Sequence, residues 1–118
     1  MEKVGSRRRN QPAPPWAIFD DLCNPYRQPA RPWLHLLDDE IAPTVLESER
    51  PHRVVWSSLW VRRPDARLHF DLTASRGGTD LRWTLYVDEP IPDESLTGHM
   101  RKRIGELINA NLRYTYGQ

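Results

Sequence analysis

The chain has 118 residues, of which 17 are Lys or Arg and 16 are Asp or Glu, so its formal net charge is +1. This length is typical of one domain with one core. The single cysteine, Cys23, excludes an internal disulfide and a multi-cysteine metal site. No stretch has the roughly 20 apolar residues of a membrane helix, and the N-terminus lacks the apolar segment of a secretory signal. We therefore expect a cytoplasmic protein without a membrane partner.

Basic residues are concentrated at the N-terminus. The rest of the chain carries 13 basic and 15 acidic residues, whereas the first ten residues contain Lys3, Arg7, Arg8 and Arg9. Residues 1–11 show no apolar periodicity, which predicts a flexible basic tail, because such a segment buries too little to offset its ordering entropy. A short edge strand or a partner-binding arm is the alternative. A folded body of residues 12–118 would then lack a basic patch, so no nucleic-acid partner is expected.

The next segment predicts a short helix. Trp16, Phe19 and Leu22 recur every three residues after a proline-rich stretch, and prolines suit the start of a helix rather than its interior. The helix should end at Asn24 and Pro25. Further prolines up to Pro32 predict an irregular connection.

Five strands are predicted between residues 33 and 88. Residues 33–37 and 44–49 form the first two, and three strands with strict alternation follow. Gly77 and Gly78 mark the turn between the last two. Short connections favour an antiparallel meander with one dry face. That face would carry Val54, Trp56, Ser58 and Trp60, then Leu68, Phe70, Leu72 and Ala74, then Leu81, Trp83, Leu85 and Val87.

A long helix is predicted over residues 93–114, with Asp93 as its N-cap. Its apolar stripe needs the dry face of the sheet as a partner and consists of Leu96, Met100, Ile104, Leu107, Ile108 and Leu112. At 100° per residue Asn111 falls within that stripe. Its amide would bond a backbone group at the sheet edge, or face a ligand or pocket water, or lie where the helix has left the sheet.

The order of these elements resembles the helix-grip fold. The resemblance rests on PAPPW at 12–16, RVVWSSLW at 53–60, GTDLRWTL at 78–85 and the helix residues 99–107. Together they are similar to the START-like (SRPBCC) superfamily of polyketide cyclase/dehydrase and lipid-transport proteins. That implies an α+β fold, with a curved antiparallel sheet of five to six strands packed on a long C-terminal helix. The superfamily's first strand is absent or degenerate in residues 2–10, or replaced by another subunit's edge, and an uncovered edge would favour a homodimer.

The resemblance implies a cavity between sheet and helix that binds a small hydrophobic or aromatic molecule. A completely filled core is the alternative interpretation. The implied lining consists of Trp56, Ser58, Trp60, Phe70, Leu72, Trp83, Leu85, Met100, Arg103, Ile104, Leu107 and Asn111.

Two other functions remain open. A polyketide cyclase/dehydratase would hold an enolate with Ser58, Tyr86 or Arg103 while a base moved a proton. His35, near three acidic residues, is the candidate for that catalytic base. A chaperone-associated interaction module is the third hypothesis, since the superfamily includes activators of the heat-shock chaperone ATPase. No histidine pair has metal-ligand spacing, so neither a metal nor another cofactor is expected.

Overall fold

A computed structural model describes residues 1–117 as one antiparallel sheet with two helical elements. The sheet order is β1-β5-β4-β3-β2, and every neighbouring pair is antiparallel. No helix in these residues is long and apolar enough to cross a membrane. The elements are β1 (Glu2–Gln11), α1 (Pro15–Cys23), β2 (Val45–Glu49), β3 (Arg53–Trp56), β4 (Arg67–Ser75), β5 (Gly78–Val87), α2 (Glu94–Ile104) and a π-helical segment (Gly105–Leu112) that continues α2.

The N-terminal segment is a strand, so the prediction of a flexible tail over residues 1–11 is wrong. β1 pairs with β5 along its length, from Glu2 opposite Val87 to Gln11 opposite Thr79. Main-chain hydrogen bonds make this pairing, and they do not depend on the apolar alternation that the segment lacks. The missing first strand, from which a homodimer was argued, is therefore supplied by the chain itself.

Residues 33–37 are irregular, which corrects the predicted strand. Trp33 and Leu34 are consecutive and both buried, whereas a strand would point one of them outward. The predicted sheet still has five strands because β1 takes the place of this segment. A single bridge between Glu40 and Trp60 joins its far end to the rest of the fold.

β3, the first of the three predicted alternating strands, is shorter than predicted and ends at Trp56. Ser58 Oγ donates to the carbonyl of Arg63 at 2.7 Å and accepts from the amide of Trp60 at 2.9 Å. Ser58 and Trp60 therefore stabilise a turn, and neither belongs to the face of a strand.

The C-terminal helix forms as predicted over its first three turns. Asp93 accepts a hydrogen bond from the amide of Leu96 at 2.9 Å, as an N-cap does. From Gly105 the helix continues with π geometry. The wider i→i+5 turn rotates each residue through a smaller angle than an α-helix does.

The space between the sheet and the helix is filled by side chains. Trp56 packs edge-to-face on Phe70 with ring centroids 4.8 Å apart, stacks on Trp33, and donates its Nε1 hydrogen to the carbonyl of Leu22. This arrangement fits the filled-core interpretation. Most of the side chains predicted to line a cavity belong to one continuous buried cluster, namely Trp56, Trp60, Phe70, Leu72, Trp83, Leu85, Met100, Ile104 and Leu107.

Candidate functional site

An open cleft lies at the C-terminal end of the helix, away from the buried cluster. We call it the C-terminal cleft; its volume is about 550 Å³. One wall comes from the proline-rich segment after α1 and the other from the end of the helix. The lining residues are Ala30, Arg31, Pro32, His35, Asn111, Tyr114, Thr115 and Gly117.

The cleft brings together His35 and Asn111, which are 76 residues apart in sequence. Leu107, Ile108 and Leu112 remain fully buried around the π-helical segment, whereas Asn111 is only half-buried. Because the π turn rotates the helix less per residue, it carries Asn111 out of the apolar stripe and into the cleft wall. Of the three explanations for this residue, the one in which it faces a pocket fits its position.

The two walls of the cleft are directly connected. Arg31 Nη1 donates to the carbonyl of Thr115 at 3.1 Å. Tyr114 is 76% exposed, so its ring is open to a ligand. Arg31, Pro32 and Tyr114 were not predicted as site residues, because no local pattern indicates that the proline-rich segment packs beside the helix end.

A buried ion pair fixes the segment that carries His35. Arg103 Nε and Nη2 donate to the two carboxylate oxygens of Glu40 at 2.7 and 2.8 Å. Arg103 also donates to the carbonyl of His35 at 2.9 Å, and the amide of Leu37 donates to Glu40 at 2.9 Å. The guanidinium thus holds two segments of the fold together, and the ligand-binding role expected for Arg103 stays a prediction.

The pair also sets the ionisation of Glu40. Burial alone would raise the pKa of Glu40, but the hydrogen bonds from Arg103 and Leu37 outweigh it, and the pKa lies below its ordinary value. The hydrogen bond to Glu40 raises the pKa of Arg103 despite burial. Both groups therefore remain charged at neutral pH.

Comparison with known proteins identifies the fold. No family model matches the sequence, and no curated protein does. The structure is similar to that of CalU16 from Micromonospora echinospora, with TM-score 0.70 and 18% identity over 95% of this chain and 74% of that chain. It is also similar to the Aha1 dimer from Colwellia psychrerythraea, with TM-score 0.67 and 14% identity over 93% and 92% of the two chains.

An AHSA1-like protein from Rhizobium etli gives TM-score 0.55 and 22% identity, over 87% of this chain and 78% of that one. The chain has the helix-grip fold. Its curved antiparallel sheet and C-terminal helix match the predicted α+β class, and identities this low concern the fold alone.

Within this helix-grip fold, the three polar groups suggested for enolate chemistry do not converge. Tyr86 lies on the opposite face of the sheet from the helix, beside His69 with ring centroids 4.6 Å apart. Ser58 is used in a turn, and Arg103 is paired with Glu40. The arrangement provides no shared oxyanion site built from these groups.

A further polar cluster of the helix-grip domain consists of Asp39, Glu40 and His99, whose ligand atoms lie within 4.8 Å of one another. His99 Nε2 is 3.6 Å from Asp39 Oδ2. Both oxygens of Glu40 already accept hydrogen bonds from Arg103. The guanidinium would repel a metal ion and compete with it for the Glu40 oxygens, so the donor set fits an ion poorly. This cluster was not predicted from the sequence, because His99 lies 60 residues from Asp39.

Proposed function

We propose that this protein binds a small aromatic or hydrophobic molecule in the C-terminal cleft without altering it chemically. The observation that carries the proposal is that His35 and Asn111 both line an open cleft together with the apolar Pro32 and the aromatic Tyr114. Among residues 1–117 neither side chain has a hydrogen-bond partner, so both are free to bind a ligand. The proposed site thus lies at the end of the helix instead of between helix and sheet.

The lining indicates the chemistry of the ligand. A volume of about 550 Å³ lies within the usual range of small-molecule sites. Pro32 and the ring of Tyr114 offer apolar surface on which an aromatic ring can stack. The imidazole of His35 and the amide of Asn111 can each donate and accept hydrogen bonds. An aromatic molecule with one or two hydroxyl or carbonyl groups fits this combination.

The test is a ligand panel measured by intrinsic tryptophan fluorescence and by isothermal titration calorimetry. His35→Ala and Asn111→Leu should each weaken binding by about 3- to 10-fold, which is the value of one hydrogen bond. His52→Ala is the matched control, because His52 is an exposed histidine outside the cleft. Asn111→Leu should leave stability unchanged or raised, since no protein hydrogen bond of its amide is lost.

Failure of every ligand to saturate would overturn the proposal, as would an equal effect of His52→Ala. A thermal melt of each variant separates lost binding from lost folding.

A protein-interaction module is the second candidate function. A filled core with exposed apolar side chains favours it over a carrier with an internal cavity. Trp16, Val61 and Tyr114 are 57%, 60% and 76% exposed. The fold likeness to Aha1 and to an AHSA1-like protein gives this candidate further support. Capture of a chaperone ATPase domain by the purified protein, retained in His35→Ala, would favour it over ligand binding.

Homodimer formation is also a proposal. β1 and β2 are the two edges of the sheet, and edge strands carry unpaired main-chain groups that can pair with a second copy. The three arginines of β1 repel a second copy, so β2 is the edge that we expect to pair. The similar structure of Aha1 from Colwellia psychrerythraea is that of a dimer. Native mass spectrometry measures the oligomeric state and would detect a co-purified small molecule in the same experiment. A purely monomeric spectrum at micromolar concentration would exclude a stable dimer.

A further inference from the structure

A second groove lies on the other side of the helix, between the helix and β1. We call it the β1 groove; its volume is about 510 Å³. The groove is strongly basic, since Glu106 is the only carboxylate among its lining residues in the part of the chain the structure describes. Its basic side chains are Arg7, Arg9, Arg101 and Lys102.

Strand alternation explains why two of the N-terminal arginines enter the groove. Arg7 pairs with Trp83 and Arg9 with Leu81, whose side chains face the helix. Arg8 pairs with Arg82 and points to the opposite face of the sheet. The basic patch predicted to lie on a tail is therefore part of the folded body, and only alternate arginines contribute to the groove.

Gly5 allows the helix to approach the strand at this point. A Cβ atom at Gly5 would lie 2.7 Å from Cδ of Arg101, closer than packed atoms come. Arg101 crosses here, donates to the carbonyl of Val4 at 2.9 Å and pairs with Glu94. Its charge is partly neutralised, whereas Arg7, Arg9 and Lys102 form no ion pair among residues 1–117.

Unsatisfied polar groups give independent support for a ligand. Asn109 lines the groove, and both its amide nitrogen and its amide oxygen are shielded from solvent without a hydrogen-bond partner in residues 1–117. Nε1 of Trp83, a side chain that is 3% exposed, is also unpartnered there. Native proteins rarely leave buried donors and acceptors unpaired. A polar ligand that enters the groove and displaces the side chains covering these atoms would satisfy them.

We propose that the β1 groove binds a small organic anion, with its phosphate or carboxylate between Arg7, Arg9 and Lys102. Guanidinium groups bind such oxyanions through paired hydrogen bonds. The apolar part of the ligand lies against Trp83 and the adjoining helix. The groove has the dimensions of one small molecule and engages only one face of β1, which favours a small anion over a nucleic-acid strand. This site is separate from the C-terminal cleft and does not depend on the function proposed for it.

The experiment uses phenyl phosphate as the probe, titrated by isothermal titration calorimetry and by ¹H–¹⁵N NMR. Saturable binding should perturb the amides of β1 and of the Trp83 region and weaken as NaCl rises, because exposed charges are screened. Arg9→Gln and Lys102→Gln should each weaken binding by at least 5-fold. Arg8→Gln is the matched control, because it removes the same charge from the same strand on the opposite face. All three positions are exposed, so the variants should melt as the wild type does.

Three results would overturn the proposal. Equal losses of phenyl phosphate affinity in Arg8→Gln and Arg9→Gln would show that the anion is attracted by the overall charge and has no defined site. Absence of saturation by phenyl phosphate would show that the groove is too open to hold an anion. Tighter binding of a single-stranded oligonucleotide, with Arg8→Gln weakening it as much as Arg9→Gln, would identify a nucleic-acid surface in place of the small-molecule site.

Discussion

The ion pair of Glu40 and Arg103 allows a quantitative test of how the cleft wall is held. The side chain of Glu40 is 0% exposed and that of Arg103 is 8% exposed. Arg103→Met would leave the carboxylate buried without its partner, which costs about 3–5 kcal/mol. A domain of this size has a free energy of unfolding of about 5–15 kcal/mol. At about 4 °C per kcal/mol, the melting temperature should fall by about 12–20 °C.

The pH dependence gives a second, independent readout. The pKa of Glu40 is lower in the folded protein than its ordinary value of 4.5. The pair therefore contributes its full stability above that ordinary value and loses it as the pH falls through the folded pKa. In Arg103→Met, burial without a partner raises the pKa of Glu40, so acidification should relieve the penalty. The gap between wild type and variant should narrow as the pH falls.

A double variant tests whether the loss of stability comes from leaving one buried charge without its partner. Replacing both partners with apolar residues, as Glu40→Leu with Arg103→Met, removes both buried charges and should be more stable than either single variant. Urea unfolding at pH 7 measures all four proteins. Single variants that each change stability by less than about 1 kcal/mol would show that water reaches the pair, and they would refute its role in fixing the wall.

Three further predictions concern the rest of the fold. Deleting residues 1–10 removes the edge strand and should lower the melting temperature by well over 10 °C or abolish cooperative unfolding; a change of 1–2 °C would mean that this strand is dispensable. Gly78→Ala should push the end of β1 away from the start of β5, because its Cβ would lie 2.0 Å from the carbonyl oxygen of Gln11 at φ +146°. Gly77→Ala meets no atom and should cost only about 1–2 kcal/mol in thermal melts. The hydrogen bond from Arg63 lowers the pKa of Asp65 to about 2, so the ionised carboxylate stabilises the fold fully above pH 3.8 and loses this contribution between pH 3.8 and 2. The melting temperature of Asp65→Asn should therefore differ from that of the wild type at pH 7 and converge with it at pH 2.

The sequence predicted those parts of the fold whose periodicity reflects burial. β4 and β5 alternate between apolar and polar residues because one face packs on the helix, and both strands formed where the pattern indicated. β1 carries no such pattern, because its inward positions include Gly5, which packs against Arg101, and Arg7 and Arg9, which line an open groove. Polar periodicity of this kind cannot be distinguished from a tail without the partner strand.

The candidate site was only partly predictable for a related reason. Asn111 was predicted as a polar residue on an apolar stripe, and in the structure it lines the cleft. The cavity expected between sheet and helix depended on how large aromatic side chains pack, which pattern alone does not determine. Trp33 fills that space from an irregular segment predicted to be a strand. Its contribution could be found only once the path of residues 24–40 was known.

The pairing of β1 with β5 has a consequence for biosynthesis. The partner of Glu2 is Val87, so β1 leaves the ribosome before β5 and must wait for it before their hydrogen bonds can form. Pairing over such a sequence separation is slow, and an unpaired strand is exposed to association with other nascent chains during the delay. Three consecutive arginines in that strand repel a second copy of the same segment. We therefore expect these arginines, two of which line the groove in the folded protein, to oppose association of the waiting strand with neighbouring chains during synthesis.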